Sequence, residues 1–148
     1  MNLPQFDFKI RKENEKYQIF DSIRNSFVAL TPEEWVRQHL VRHLIENLSY
    51  PTNFISNEVS IEYNGLKKRC DSIVYSKDFS PMIICEYKAE SIEITQKVFD
   101  QAAVYNQRLN VPFFLISNGN QHIFCRVLQK EKRYEFYPTI PCYYDISY

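Results

Sequence analysis

The stretch PMIICEYK, residues 81–88, decides the fold assignment. Its continuous apolar run, Met82–Cys85, is typical of a central strand that is covered on both faces. Glu86 and Lys88 follow the run and are two residues apart, so on a strand their side chains project from the same face. The pattern therefore predicts a buried strand that ends with one acidic and one basic side chain.

A second strand precedes this one and carries another acidic residue. Residues Lys68–Tyr75 are predicted to form it, and a short loop turns the chain back into a hairpin. If the loop is centred on Asp78–Phe79, Asp71 lies directly opposite Glu86, with Cβ atoms about 5 Å apart. This register is an assumption, because a slip of one residue would move a side chain to the other face.

Two carboxylates that face each other repel, and a buried charge without a partner costs free energy. A divalent cation would remove this cost, because Mg²⁺ binds one or two carboxylates and keeps water molecules for a substrate. Lys88 on the same face could orient or deprotonate such a water. The alternative is an ordinary ion pair between a lysine and a carboxylate at a strand end, which the E-x-K spacing alone does not exclude.

The flanking segments predict a mixed sheet with helices. Thr31 and Glu34 indicate a helix start with a capping box, and this helix runs to about Leu48. A second helix, over residues 95–110, leads to an apolar strand over residues 111–117. A strand–helix–strand connection makes its two strands parallel, whereas the upstream hairpins are antiparallel.

The first thirty residues alternate between apolar and polar and predict two or three short strands. The whole pattern therefore predicts an α/β fold, in which a mixed β-sheet is flanked by helices and preceded by an N-terminal β-hairpin extension. A length of 148 residues favours a single domain over residues 1–148, with strands in 1–30 and the core in 31–148.

Composition excludes several classes of function. The two glycines, Gly65 and Gly119, cannot build a glycine-rich phosphate loop, so no nucleotide cofactor is expected. The formal net charge is zero, so affinity for DNA should be weak or should come from a local patch. Residues 67–69 are the one run of three basic residues, and they are most simply a solvated strand end; Lys68 and Arg69 are nevertheless the candidates for contacting DNA.

The cysteines and the hydropathy of the chain predict its cellular location. The four cysteines have no C-x-x-C spacing, which argues against a zinc site and favours reduced thiols in a cytoplasmic protein. The N-terminus lacks the apolar core of a signal peptide, and no stretch is long enough to span a membrane.

The chain resembles the PD-(D/E)XK nuclease superfamily, and more closely the N-terminal domain of the R subunit of type I restriction enzymes, in its small stand-alone form. The resemblance covers about two thirds of the chain, in order. It rests on the segments 31–38 (TPEEWVRQ), 68–71 (KRCD), 86–89 (EYKA), 101–105 (QAAVY) and 118–119 (NG). The resemblance implies a restriction-endonuclease-like core and Mg²⁺-dependent hydrolysis of DNA, with Mn²⁺ as a substitute.

Roles for individual residues follow from the same resemblance. Asp71 and Glu86 would bind the metal together with the backbone carbonyl of Tyr87, and Glu34 would be an additional candidate ligand. Lys88 would position the attacking water. Asp71, Glu86 and Lys88 are therefore the predicted catalytic residues.

Other features concern the DNA. Gln101 and Tyr105 match a Q-x-x-x-Y motif that supports DNA engagement in these nucleases, although both could instead lie in the buried stripe of the second helix. Cys70 stands where the superfamily often has a proline. Full R subunits also contain a motor region that this chain lacks, so other restriction-system subunits are expected partners besides DNA.

Three functional hypotheses remain open. The first is a metal-dependent endodeoxyribonuclease. The second is a weakly active or inactive nuclease-fold module that binds nucleic acid or a partner protein in a restriction or DNA-repair complex. In the third, the chain is a structural domain and its pair of acidic residues, Asp71 and Glu86, has no chemical role.

The first helix carries three further residues of interest. His39 and His43 are expected to be surface residues, and Arg37 is expected to form an ion pair with Glu33 or Glu34.

Overall fold

Two open sheets form the framework of the part of the chain that the computed structural model describes, residues 1–147. The N-terminal sheet contains β1 (Ile10–Glu13), β2 (Lys16–Asp21) and β3 (Ser26–Ala29). The second sheet contains, in spatial order, β4 (Ile55–Tyr63), β5 (Leu66–Tyr75), β6 (Pro81–Tyr87), β7 (Phe113–Ser117), β8 (His122–Leu128) and β9 (Arg133–Tyr137). The helices are α1 (Pro32–Leu48), α2 (Gln96–Ala103) and α3 (Asn106–Leu109), with short 3-10 turns at Thr52–Phe54 and Tyr143–Asp145.

The larger sheet is mixed. Its central strands β6 and β7 are parallel and are joined through α2 and α3, whereas the other neighbouring strands are antiparallel. This connection is the crossover that a parallel pair requires. The predicted α/β fold with a mixed, helix-flanked sheet is confirmed, and the predicted N-terminal hairpin is extended by a third strand.

The hairpin between β5 and β6 has the register that the sequence suggested. Ser72 lies opposite Cys85 and Ile73 opposite Ile84. The pairing shifts between Val74 and Tyr75, near the loop. Regular pairing ends at Ser72 and Cys85, one position before Asp71 and Glu86, so the acidic residues lie where the two strands stop following each other.

Strand β6 is buried on both faces, as its apolar run predicted. Ile83 and Cys85 belong to the hydrophobic cluster under α1, and Ile84 belongs to the cluster under α2. Burying one such aliphatic side chain contributes about 1.5–3 kcal/mol. The end of this rigid strand is therefore a well-anchored place for the functional side chains that follow.

Helix α1 begins and ends with side-chain and backbone caps. The Thr31 hydroxyl accepts a hydrogen bond from the Glu34 amide at 3.1 Å, and Ser49 takes the left-handed conformation (φ 63°) after the last turn. The predicted capping box is wrong in its second half, because the Thr31 amide donates to Ala29 instead. The Glu34 carboxylate points toward arginine side chains, whose charge attracts it more strongly than a neutral amide.

The second helix does not run unbroken from 95 to 110 as predicted. Thr95 caps α2 by accepting from the Val98 amide, but α2 ends at Ala103 and α3 is a separate short turn. At the break, the Arg108 amide donates to the Tyr105 carbonyl, a bond over three residues that tightens the turn. No glycine or proline marks this position in the sequence.

His39 is buried, which corrects the prediction of a surface position for it. Its Nδ1 lies 2.8 Å from the Trp35 carbonyl, and its ring packs edge-on against Trp35 and Phe8. His43 is only partly buried and bonds Asn47 instead. His39 therefore packs helix α1 against Phe8, whereas His43 bonds within the same helix.

The described residues bear on two further sequence predictions. Cys70, Cys85, Cys125 and Cys142 are all free thiols, as expected. Within residues 1–147, no helix combines the length and the apolar character that crossing a membrane requires.

Candidate functional site

Asp71 lies where β5 loses regular pairing with both neighbouring strands. The pairing with β4 passes from Asn57–Ser72 to Val59–Cys70 and omits Glu58 and Asp71. Glu58 has a left-handed backbone (φ 55°), which is uncommon for a non-glycine residue and clusters at functional sites. The sheet is therefore open around Asp71, and its side chain does not simply follow the strand alternation.

The Asp71 carboxylate reaches across to β6. Its Oδ2 accepts a hydrogen bond from the Tyr87 amide at 2.9 Å, which belongs to the peptide that directly follows Glu86. Burial raises the pKa of Asp71, although this amide and the charge of Arg37 act in the opposite direction. A partly desolvated carboxyl is thus held next to the backbone of Glu86.

Glu86 is held between two lysines without a direct hydrogen bond to either. Lys68 Nζ lies 3.8 Å from its Oε1, and Lys88 Nζ lies 3.8 Å from its Oε2. Among the described residues, the buried Oε2 has no hydrogen-bond partner. Leaving a charged oxygen buried in this way costs free energy that a bound cation would recover.

The predicted site residues line two neighbouring cavities. A cavity of about 420 Å³ is lined by Glu33, Lys68, Glu86, Lys88, Ile92, Val98, Gln101, Ala102 and Tyr105. A smaller one, of about 160 Å³, is lined by Thr31, Glu33, Glu34, Arg37, Glu58, Asp71 and Tyr87. Glu33 borders both cavities, so Asp71 and Glu86 line different but neighbouring spaces.

A larger cavity, of about 660 Å³, lies between the N-terminal sheet and the segment after β6. Its lining is mainly apolar, and Glu90 is its one carboxylate. A site for metal binding or acid–base chemistry needs convergent charged groups rather than volume alone. The two smaller cavities are therefore the better candidate site.

Gln101 and Tyr105 are exposed, so the alternative that both lie in the buried stripe of the second helix is wrong. The break after α2 turns Tyr105 outward, and 42% of its surface is exposed. Both residues nevertheless line the cavity of Glu86 and Lys88. Lys68 Nζ lies 5.3 Å from the centre of the Tyr105 ring, a cation–π contact that orders the rim of the cavity.

Glu34 is fully occupied by arginine and amide donors. Its Oε1 accepts from Arg24 and Arg37, and its Oε2 accepts from Arg37 and Gln38. Burial works to raise the pKa of Glu34, but these hydrogen bonds outweigh it and hold the pKa below its ordinary value. The carboxylate therefore anchors positive side chains beside the site.

Arg37 is the functional candidate that sequence reasoning left as a simple ion pair. The expected pair with Glu34 is confirmed, but Nη1 also donates to Glu58 at 2.7 Å and to the Asp71 carbonyl at 2.8 Å. Arg69 binds Glu58 from the other side, with 68% of its side chain exposed. The spacing of Arg37 from Glu34 was visible in the sequence, whereas its contacts with β4 and β5 were not.

The donor set suits a hard divalent cation. Within residues 1–147, no three His, Cys, Asp or Glu side chains cluster closely enough to hold a metal by themselves. Asp71 and Glu86 offer carboxylate oxygens, and Mg²⁺ commonly takes one or two carboxylates and completes its shell with water and substrate. The buried Oε2 of Glu86, which has an ion pair with Lys88 at 3.8 Å but no hydrogen bond, is the observation that fits such an ion.

Two comparisons with known proteins, one by sequence family and one by structure, both point to type I restriction enzyme R subunits. The family model described as "Type I restriction enzyme R protein N terminus" matches residues 32–141. Among solved structures, the fold is similar to a fragment of a protein assigned as the HsdR subunit of a type I restriction enzyme from Vibrio vulnificus YJ016. The TM-score is 0.52 with 21% identity over 76% of this chain, which spans 24% of that chain. No curated protein sequence matches. Because the family model matches most of the chain, this protein belongs to the family of type I restriction enzyme R protein N-terminal regions.

Proposed function

We propose that the domain is a PD-(D/E)XK-type endonuclease that hydrolyses phosphodiester bonds of DNA with Mg²⁺, for which Mn²⁺ can substitute. The single observation that carries the proposal is the position of the Asp71 carboxylate, bonded to the peptide after Glu86. The Lys88 ammonium lies 3.8 Å from the Glu86 carboxylate. The family membership supports it, since the matched region belongs to a restriction enzyme subunit.

Asp71 and Glu86 would hold the cation, and the backbone carbonyl of Tyr87 is a third oxygen at the same end of β6. Glu34 is a weaker candidate, because both of its oxygens already accept hydrogen bonds. The cation would supply stabilisation of the negative charge that develops on the phosphate oxygens.

The side chains around the cavity have distinct tasks in this proposal. Lys88, with 35% of its side chain exposed, reaches the cavity and can hold the attacking water by donating to it. Lys68 is less exposed and sits between Glu86 and Tyr105, where its charge can attract a phosphate. Gln101 and Tyr105 present polar groups at the rim, where a DNA backbone would pass.

A second candidate function is favoured by the charge of the chain. A formal net charge of zero provides little long-range attraction to DNA. The alternative is therefore a nuclease-fold module with little or no activity, which binds nucleic acid or another restriction subunit. In both cases a partner that delivers the DNA would raise the effective affinity.

The test is cleavage of supercoiled plasmid with Mg²⁺ or Mn²⁺ by the wild type and by Asp71→Asn, Glu86→Gln and Lys88→Met. Removing a positioned acid–base group typically costs about 10²–10⁴-fold in rate, which is the loss expected for Lys88→Met. The Asp71 and Glu86 variants should also lose cleavage, because each removes a proposed metal ligand. Matched controls are Glu15→Gln, whose side chain is 91% exposed, and Lys130→Met on the surface.

Two results would reject the endonuclease proposal. One is variants that cleave as fast as the wild type, since contaminating nuclease would then explain the activity. The other is a folded wild-type chain that neither cleaves DNA nor binds Mn²⁺ in calorimetry. Retained binding of DNA or of a restriction subunit in that second case would favour the inactive module.

A further inference from the structure

Arg37 lies at the junction of α1, β4 and β5, beside Asp71. Its Nε and Nη2 bond both oxygens of Glu34, which is on the same helix one turn earlier. A two-point contact between a guanidinium and a carboxylate fixes the plane of the guanidinium. The remaining nitrogen, Nη1, is thereby directed at Glu58 and at the Asp71 carbonyl.

This side chain is buried, with 7% of its surface exposed. A guanidinium in such a place normally needs full hydrogen bonding to offset its desolvation. Three partners on three different elements meet this need. Arg37 is therefore a tie between elements rather than a surface ion pair.

The contact with Asp71 falls where the sheet gives the least support. Neither β4 nor β6 pairs regularly with this residue, and Glu58 opposite it is in a left-handed conformation. The backbone carbonyl of Asp71 would otherwise rely on solvent or on irregular pairing. A buried Arg37 bond of 2.8 Å to that carbonyl supplies a fixed point.

Residues at the end of strand β2 of the N-terminal sheet and in the turn after it also support the surroundings of Arg37 and Glu58. Arg24 bonds Asp21 and Glu34, so the turn after β2 is tied to the acidic partner of Arg37. Asp21 also accepts from Asn57, which is the residue before Glu58 on β4. Residues 1–31 lie outside the matched family region, and Asp21 and Arg24 within them contribute part of this support.

We propose that Arg37 is the positioning residue of the site: by holding the Asp71 carbonyl and the Glu58 side chain, it sets where the Asp71 carboxylate can meet a divalent cation. This inference rests on the proposed function for its consequence, the metal affinity. Its structural half, the placement of the Asp71 carboxylate against the Tyr87 amide, can be measured without metal or DNA.

A lysine cannot replace this arginine. An ammonium is a single point of charge, whereas the guanidinium donates in a fixed plane to Glu34 and to the strands at the same time. Arg37→Lys keeps the positive charge, so Glu34 retains an ionic partner, but the planar set of donors that reaches Glu34 and the strands together is lost. Arg37→Gln removes both the charge and this planar set of donors.

The experiment compares Arg37→Lys and Arg37→Gln with Arg42→Gln, a control on the same helix. Arg42 pairs with the half-exposed Glu46 at 3.6 Å and lies over the rings of Phe6 and Phe8, and no hydrogen bond or ion pair joins it to Glu58 or Asp71. Titration with Mn²⁺ alone should show about 10–100-fold weaker binding for both Arg37 variants, the usual cost of losing a residue that orients a metal ligand. Plasmid cleavage measured over a range of DNA concentrations should show a lower kcat with little change in KM, and the Arg42 variant should match the wild type.

The second readout is the amide resonance of Tyr87 in metal-free protein. Because this amide donates to the Asp71 carboxylate, its chemical shift and exchange rate should change in Arg37→Lys more than those of the Cys85 amide on the same strand. A general loss of stability would affect both amides alike. Thermal unfolding identifies any variant that fails to fold. If Arg37→Gln does not fold, Arg37→Lys, which keeps the charge, decides the question.

The outcomes separate the two proposals. An Arg37→Lys protein with wild-type Mn²⁺ affinity and an unchanged Tyr87 amide would overturn the positioning role, whatever the nuclease result. If the wild type binds no Mn²⁺, the proposed function fails, and the Tyr87 amide alone decides whether Arg37 places Asp71.

Discussion

Glu34→Gln, a change in the first turn of helix α1, should destabilise the protein strongly. In the folded chain this carboxylate is 5% exposed and accepts bonds from Arg24, Arg37 and Gln38. A glutamine keeps the size but has no charge, and its amide nitrogen would point at a guanidinium. Arg37 would remain buried with Glu58 as its one carboxylate partner.

The expected magnitude follows from this loss. Removing one partner of a buried ion pair costs about 3–5 kcal/mol, because the other charge stays desolvated. Folded domains have a free energy of unfolding of about 5–15 kcal/mol, so the variant should lose a large part of its stability. The matched control is Glu46→Gln on the same helix, whose exposed pair with Arg42 at 3.6 Å should contribute less than about 1 kcal/mol.

Urea unfolding followed by the fluorescence of Trp35, the single tryptophan, measures both variants. The midpoint should fall for Glu34→Gln with an unchanged slope, since the folded area is the same. Equal midpoints for the Glu34 and Glu46 variants would refute the assignment of Glu34 to a buried network.

The pH dependence adds an independent check. The folded pKa of Glu34 lies below its ordinary value of 4.5, so its contribution is complete above that pH. As pH falls below 4.5, the unfolded state takes up a proton first, and the contribution is lost as pH passes through the folded pKa. Burial acts to raise the pKa of Asp21, but bonds from Asn57 and Arg24 lower it, so Asp21 acts in the same direction. Glu34→Gln should therefore show a flatter loss of stability in acid than the wild type.

Three further outcomes are expected. Thr31→Ala should cost about 0.5–2 kcal/mol in urea unfolding, because the Glu34 amide loses its cap; a variant as stable as the wild type would contradict this role. Ile84→Ala, at 1% exposure in the central strand, should cost about 2–5 kcal/mol, and a cost below 1 kcal/mol would mean that the strand is not covered on both faces. Lys68→Gln should weaken DNA binding and flatten its dependence on salt in fluorescence anisotropy, whereas an unchanged salt slope would show that Lys68 does not contact phosphate.

Local patterns in the sequence determined the framework of the sheet. The apolar run at 82–85 predicted a strand covered on both faces, because only such a strand can bury successive apolar side chains. The loop around Asp78 and Phe79 determined the hairpin register, since side chains alternate with a period of two and a slip would expose the core face. The start of α1 was predicted from the capping residue Thr31, and its end was predicted from Pro51, shortly after Leu48.

Contacts between distant residues were decided by the tertiary structure alone. Arg37 meets the Asp71 carbonyl across 34 positions and Asn57 meets Asp21 across 36, and no local pattern encodes such pairs. The outward turn of Gln101 and Tyr105 likewise depends on how α2 packs and ends, not on their spacing. Periodicity and turn chemistry act over a few residues and so can be read from the chain. A buried charge network instead takes its form from surfaces that meet only after the strands and helices have packed.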